Sequence, residues 1–177
     1  MDHQGRATPA RIAAPVALAA VALLTAACGG SAGPSGAIVP GTAAHPRDVN
    51  VILRDYVFIP TPILLVPGET VRFRIIDGGL VEHEFVLGPR QLQDAYERAE
   101  AAIAPSLPGA TEPPVSLPPA VADLGLRVVV GSGQQASIVY HVPSTGPAPL
   151  LECHIPGHLA RGMIGAIEYV APGATAP

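Results

Sequence analysis

Cys153, His158 and Met163 stand at five-residue intervals in the run Cys153-His154-Ile155-Pro156-Gly157-His158-Leu159-Ala160-Arg161-Gly162-Met163. A thiolate, an imidazole and a thioether are soft ligands. Joined by a second histidine, they form the set that favours copper in a trigonal electron-transfer site with a weakly bound axial sulfur. His83, in Val81-Glu82-His83-Glu84-Phe85-Val86-Leu87, is the candidate for that second imidazole. The chain has only two cysteines and two methionines, and the other pair, Met1 and Cys28, lies at the N-terminus.

One ligand from mid-chain and three from a single late loop need a rigid frame to bring them together, and the pattern around them is β. Short apolar or alternating runs at Val49–Leu53, Tyr56–Pro60, Ile63–Val66, Val71–Ile76, Glu82–Leu87, Leu126–Val130, Gln135–Val142, Leu150–Cys153 and Met163–Val170 are separated by turn signals such as Pro67-Gly68-Glu69. They predict an all-β fold, a two-sheet β-sandwich. Residues 89–123 interrupt it. Gln91–Ala104 has apolar residues at helical spacing, and residues 105–122 hold six prolines. This segment reads as a surface insertion, part amphipathic helix and part extended loop. It either covers the metal edge, contacts a partner or decorates the fold.

Residues 1–27 read as an export signal, with Arg6 and Arg11 ahead of an apolar stretch too short for a confident membrane span. The sequence Leu24-Thr25-Ala26-Ala27-Cys28-Gly29 resembles a bacterial lipoprotein cleavage site, with Cys28 as the lipid-bearing new N-terminus; Thr25 departs from the usual leucine. Residues 28–47 are expected to form a flexible tether, 48–172 a single domain and 173–177 a tail. With Cys28 lipidated, Cys153 has no disulfide partner, and a lone thiol outside the cytoplasm survives best when buried or metal-bound. Beyond residue 27 there are 13 acidic residues, eight arginines and no lysine, a formal charge of minus five that argues against nucleic acid as a partner.

From Tyr56-Val57-Phe58-Ile59-Pro60, the Pro67-Gly68-Glu69-Thr70-Val71 turn, His83 beside Phe85 and the Cys153–Met163 loop, in that order, the chain resembles the cupredoxins, the plastocyanin/azurin group of small blue copper proteins. The loop spacing looks closer to the auracyanin, rusticyanin and multicopper-oxidase style than to plastocyanin's tighter loop. The resemblance covers roughly residues 48–170. It implies a Greek-key sandwich and one type 1 copper held by His83, Cys153, His158 and Met163. It also implies a Cu(I)/Cu(II) electron carrier, monomeric and membrane-tethered through Cys28, serving cytochrome-type or oxidase-type partners, with His158 at the solvent edge and His83 deeper. A copper storage or delivery module is the alternative, against which a single methionine beyond residue 27 speaks. The residue after the first histidine ligand, often Asn, Ser or Asp in this family, is Glu84 here. No His-x-His pair occurs anywhere, so oxygen-reducing enzyme chemistry is not expected. His45, His141 and His154 are read as non-ligands. Glu82, Glu84 and Glu152 are read as solvated or docking charges.

Overall fold

The computed structural model of the chain describes Met1 and residues 36–102 and 115–175. Apart from Met1, the expected signal segment 1–27 lies outside the described residues, as does Cys28, the expected site of lipidation.

Ten strands, β1 (Arg47–Arg54), β2 (Val57–Ile59), β3 (Ile63–Leu65), β4 (Thr70–Asp77), β5 (His83–Gly88), β6 (Leu126–Val130), β7 (Gln135–His141), β8 (Leu150–Glu152), β9 (Ile164–Gly165) and β10 (Ile167–Tyr169), appear among the described residues. One sheet has the order β2-β1-β4-β7, with β1 and β4 parallel; another has β6-β5-β8-β9; β3 and β10 form a parallel pair. The alternation in β1 and β4 sends Val49, Val51, Leu53, Val71, Phe73 and Ile75 inward, as period-two side chains must be. They meet Phe85, Leu87 and Leu151 from the facing sheet. Phe85 binds the layers, its ring centroid 5.0 Å from Phe73 and 6.2 Å from Phe58. The expected β-sandwich is therefore the architecture, and its interior packs like any protein core.

Two regions differ from the sequence reading. Residues 36–46, within the stretch expected as tether, contact the sandwich: Ala37 bridges Thr175, Ile38 is buried and exchanges backbone hydrogen bonds with Gly173 and Ala174, and Gly41 receives Thr70 N–H. The cause is a buried clamp. Arg47 donates twice to Glu69, at 2.5 and 2.8 Å, and Glu69 also accepts the backbone N–H groups of Val66 and Gly41. Burial alone would raise the Glu69 pKa, but Arg47 and the two N–H donors outweigh it and hold the carboxyl below its usual 4.5. A depressed folded-state pKa means the clamp's stability is present above the unfolded pKa and lost as pH falls through the folded one. Glu69→Gln is expected to cost about 1–3 kcal/mol at pH 7, and less at pH 3.5. Urea unfolding at both pH values measures this, and an equal cost at both would contradict the account.

The second difference is the insertion. Its helix α1 is Arg90–Glu100, and a short second helix, α2, spans Pro119–Ala122. Leu92 and Tyr96 pack on Val86 of β5, joined by Val115, Leu117 and Val121, so residues of the proline-rich stretch do contribute to a small second core. The outer face of β5 is thereby covered, and all six of its residues are buried.

Candidate metal centre

The late loop is shaped by its own backbone. His158 N–H bonds Ile155 C=O, Gly162 N–H bonds Leu159 C=O after a single 3-10 turn at Leu159–Arg161, and Met163 N–H returns to His158 C=O. Two left-handed turns are needed, and Gly157 (φ 89°) and Gly162 (φ 88°) supply them. Cys153 N–H then bonds Met163 C=O at 3.2 Å, so the loop's ends are tied together.

This places Cys153, His158 and Met163 in the interior beside His83. The thiol sulfur is 3.4 Å from His158 Nδ1 and accepts Glu84 N–H at 3.4 Å. The His83 and His158 rings are 5.1 Å apart between centroids. His158 is 7% exposed and His83 fully covered, which places His158 nearer solvent. Tyr56 packs its ring edge-on to both, 4.8 Å from His158 and 6.2 Å from His83, and Arg161 lies over the far side of Tyr56 with its guanidinium 4.6 Å from that ring's centroid.

Burial leaves His158 and Cys153 neutral. Burial, then the neighbouring His83 and Arg161, lowers the His158 pKa to about 4, so its ring keeps a lone pair at neutral pH. Burial pushes the Cys153 thiol up to about 12. A metal entering here must displace that proton, and His158 Nδ1 lies 3.4 Å from the sulfur that carries it. His83 Nε2 is a buried nitrogen with no hydrogen-bond partner. Asp55 Oδ1, its neighbour across the ring, is 3.4 Å away. A buried thiol with a neutral imidazole beside it, a second buried imidazole next to that ring and a buried thioether residue are donors whose chemistry fits one soft metal ion.

His141 and His45 are elsewhere. His141 hydrogen-bonds Thr70 across the β4–β7 pair, and His45 is exposed. His154 turns away from the thiol, as the extended segment requires, but it is buried: Gln93 Oε1 meets its Nε2 at 2.8 Å and Glu97 its Nδ1 at 2.9 Å.

Two of the acids expected to be solvated are not. Glu84 is fully buried, hydrogen-bonded to Arg127 through Nε at 2.7 Å and also through NH2, and its other oxygen accepts His154 N–H at 3.3 Å. Arg127 also reaches Glu100 of α1 at 3.2 Å. Glu152 is buried and paired with Arg90 at 3.0 Å. The reason is α1, which covers this side of the sheet and excludes the water these carboxylates were expected to meet. Glu84 thus braces the residue following Cys153 with its side chain and the Cys153 sulfur with its N–H.

The sequence reading also missed Asp77, which is buried with both oxygens near His83 Nδ1, at 3.1 and 3.2 Å. The signal was present: Asp77 continues the inward series Val71, Phe73, Ile75 of β4, where an acid must find a buried partner.

No family model matches the chain. It is 35% identical over 130 residues, 72% of this chain and 70% of its relative, to the copper-resistant cuproprotein CopI of Rubrivivax gelatinosus. Among solved structures, auracyanin B aligns with a TM-score of 0.53 at 24% identity over 78% of this chain and 97% of its own. Auracyanin A, a "blue" copper protein from the green thermophilic photosynthetic bacterium Chloroflexus aurantiacus, aligns at 0.52 and 18% over 71% and 99%. The structural likeness establishes the fold. The sequence likeness carries the family: this chain, with its cupredoxin-like fold, belongs to the family of the cuproprotein CopI.

Proposed function

We propose that the protein is a type 1 copper protein that carries single electrons, with His83, Cys153, His158 and Met163 as ligands. Bound there, copper supplies a one-electron Cu(I)/Cu(II) couple. The observation that carries the reading is that all four side chains are buried, with the Cys153 sulfur 3.4 Å from His158 Nδ1, the His83 and His158 rings 5.1 Å apart, and the loop from Cys153 to Met163 closed by its own backbone hydrogen bonds. Such a frame limits rearrangement between oxidation states. His158 is the donor nearest solvent, so its ring edge is where a partner's redox centre would approach most closely.

The same reading makes the protein a carrier rather than an enzyme. It is a monomer, held outside the cytoplasm by a lipid on Cys28, with cytochrome-type or oxidase-type partners. No helix among the described residues is long and apolar enough to cross a membrane, and a lipid on Cys28 would not need one.

One finding favours a second reading, copper handling: the relative CopI is described as copper-resistant. The buried ligands favour the carrier, because copper transfer between proteins proceeds by ligand exchange at accessible donors. Voltammetry of the copper-loaded protein decides. Reversible one-electron cycling, with copper retained against an apo-acceptor, is expected. Irreversible cycling with ready surrender of copper would reverse the ranking.

A further inference from the structure

We infer that Arg161 is the docking residue for an acidic partner: a redox protein that presents carboxylates to the guanidinium lying against Tyr56, outside His158. The inference rests on the electron-carrier reading above and names the chemistry of the surface that the carrier meets.

Arg47, Arg72, Arg74, Arg90 and Arg127 each reach a carboxylate of the protein itself. Arg161 is exposed and makes no ion pair among the described residues. It is nevertheless held in place. Its guanidinium lies 4.6 Å from the Tyr56 ring centroid and donates to the Tyr56 hydroxyl, and Tyr56 sits edge-on to His158 at 4.8 Å. Arg161 N–H also bonds His158 C=O at 3.1 Å, so both residues belong to one turn. A guanidinium carries five N–H donors in a planar fork that matches a carboxylate. Tyr56 takes one of them, and the rest have no acceptor among the described residues. Resting on a ring, the fork loses little freedom when an anion binds. Asp55, next in sequence to Tyr56, is engaged elsewhere: it accepts Leu80 N–H at 3.0 and 3.1 Å and lies 3.4 Å from His83 Nε2.

Beyond residue 27 the formal charge is minus five, which taken alone would draw a basic partner. A fixed cation beside the donor nearest solvent reverses that preference locally, because salt screens the distant charges more than the close one.

Two one-electron oxidants of opposite charge, ferricyanide and tris(phenanthroline)cobalt(III), test this in the copper-loaded protein. Each takes the single electron released as Cu(I) becomes Cu(II). Arg161→Gln and Arg98→Gln remove the same charge, one at this edge and one on the exposed side of α1. Arg161→Gln is expected to slow ferricyanide by about 3–10-fold at low salt and to speed the cobalt complex, whereas Arg98→Gln should change either rate by less than about twofold. Binding is read separately, by proton NMR of the reduced protein titrated with a hexaglutamate peptide. The Tyr56 and His158 resonances should shift in the wild type and stay fixed in Arg161→Gln. Arg161→Lys should keep the rate pattern but bind the peptide more weakly, since an ammonium lacks the fork. Equal effects of the two glutamine variants, or a shift of Tyr56 by hexalysine in place of hexaglutamate, would overturn the inference and leave the carrier reading standing. A copper-loaded protein that exchanges no electron with either complex would overturn the carrier reading, and the peptide titration, readable with or without copper, would still decide whether this edge binds an anion.

Discussion

Cys153→Ser is expected to abolish the intense visible absorption of the copper-loaded protein and to lower copper affinity by at least ~100-fold. The absorption is a charge transfer from thiolate sulfur to Cu(II), and Cys153 is the free cysteine among the described residues. The substitution also isolates the ligand role. The apo thiol, pushed up to about 12 by burial, is uncharged at neutral pH, so a serine hydroxyl replaces one neutral group of similar shape with another. Its hydrogen can still meet His158 Nδ1. Stability of the apo protein should change by no more than about 2 kcal/mol. Metal binding to the folded state alone raises apparent stability by about 4 kcal/mol at a thousandfold excess over Kd, and this increment should be present in the wild type and absent in the variant. Thermal unfolding with and without copper, read beside the visible spectrum, checks both halves. If the serine variant kept the band, another residue would be the sulfur or nitrogen donor. If its apo form unfolded, the loss of colour would be a folding effect.

How much of this was legible in the sequence depends on which side chains speak by type and which by surroundings. Cys153, His158 and Met163 carry their chemistry in their spacing, and the strand runs that frame them alternate or run apolar as buried strands do. Asp77 was legible in principle, because period two in β4 places it on the same face as Phe73 and Ile75. Glu84 and Glu152 were not. An acid in a strand reads as solvent-facing when one face of the sheet is wet, and here the second face is dry. The covering helix was recognised by its apolar positions Leu92 and Tyr96, but periodicity treats the remaining positions as outward. Gln93, Glu97 and Glu100 lie four and three residues apart, forming a polar stripe beside the apolar one; Gln93 and Glu100 are buried, and Glu97, though exposed, reaches His154 Nδ1. Only the three-dimensional match between the stripe and Arg127, His154 and Leu150 C=O turns it inward. The insertion is thus not a neutral decoration: it supplies the partners of the residue next to Cys153.

That dependence is tested most sharply at Arg127. Its guanidinium is mostly covered, spans Glu84 and Glu100, and lies 5.4 Å from the Tyr96 ring centroid. Removing one partner of a buried ion pair is costly, and here two buried carboxylates, those of Glu84 and Glu100, would lose the guanidinium that spans them. Arg127→Leu is expected to destabilise the apo protein by about 3–5 kcal/mol in urea unfolding. Adding Glu84→Gln should recover part of that loss, because the amide removes one of the two charges and its oxygen still accepts His154 N–H. Arg127→Lys should fall between wild type and leucine, since an ammonium keeps the charge but cannot span both acids with a planar fork. The same network fixes His154 and the Glu84 N–H that meets the Cys153 sulfur. In the copper-loaded Arg127→Leu protein the electron paramagnetic resonance should therefore broaden as the thiolate samples more than one geometry. A cost below about 1 kcal/mol would place Arg127 with ordinary surface ion pairs and would detach α1 from the copper loop. A large cost recovered by Glu84→Gln, with line broadening relieved alongside, would show that the glutamate standing where the family often has Asn, Ser or Asp keeps its bracing role only while Arg127 balances its charge.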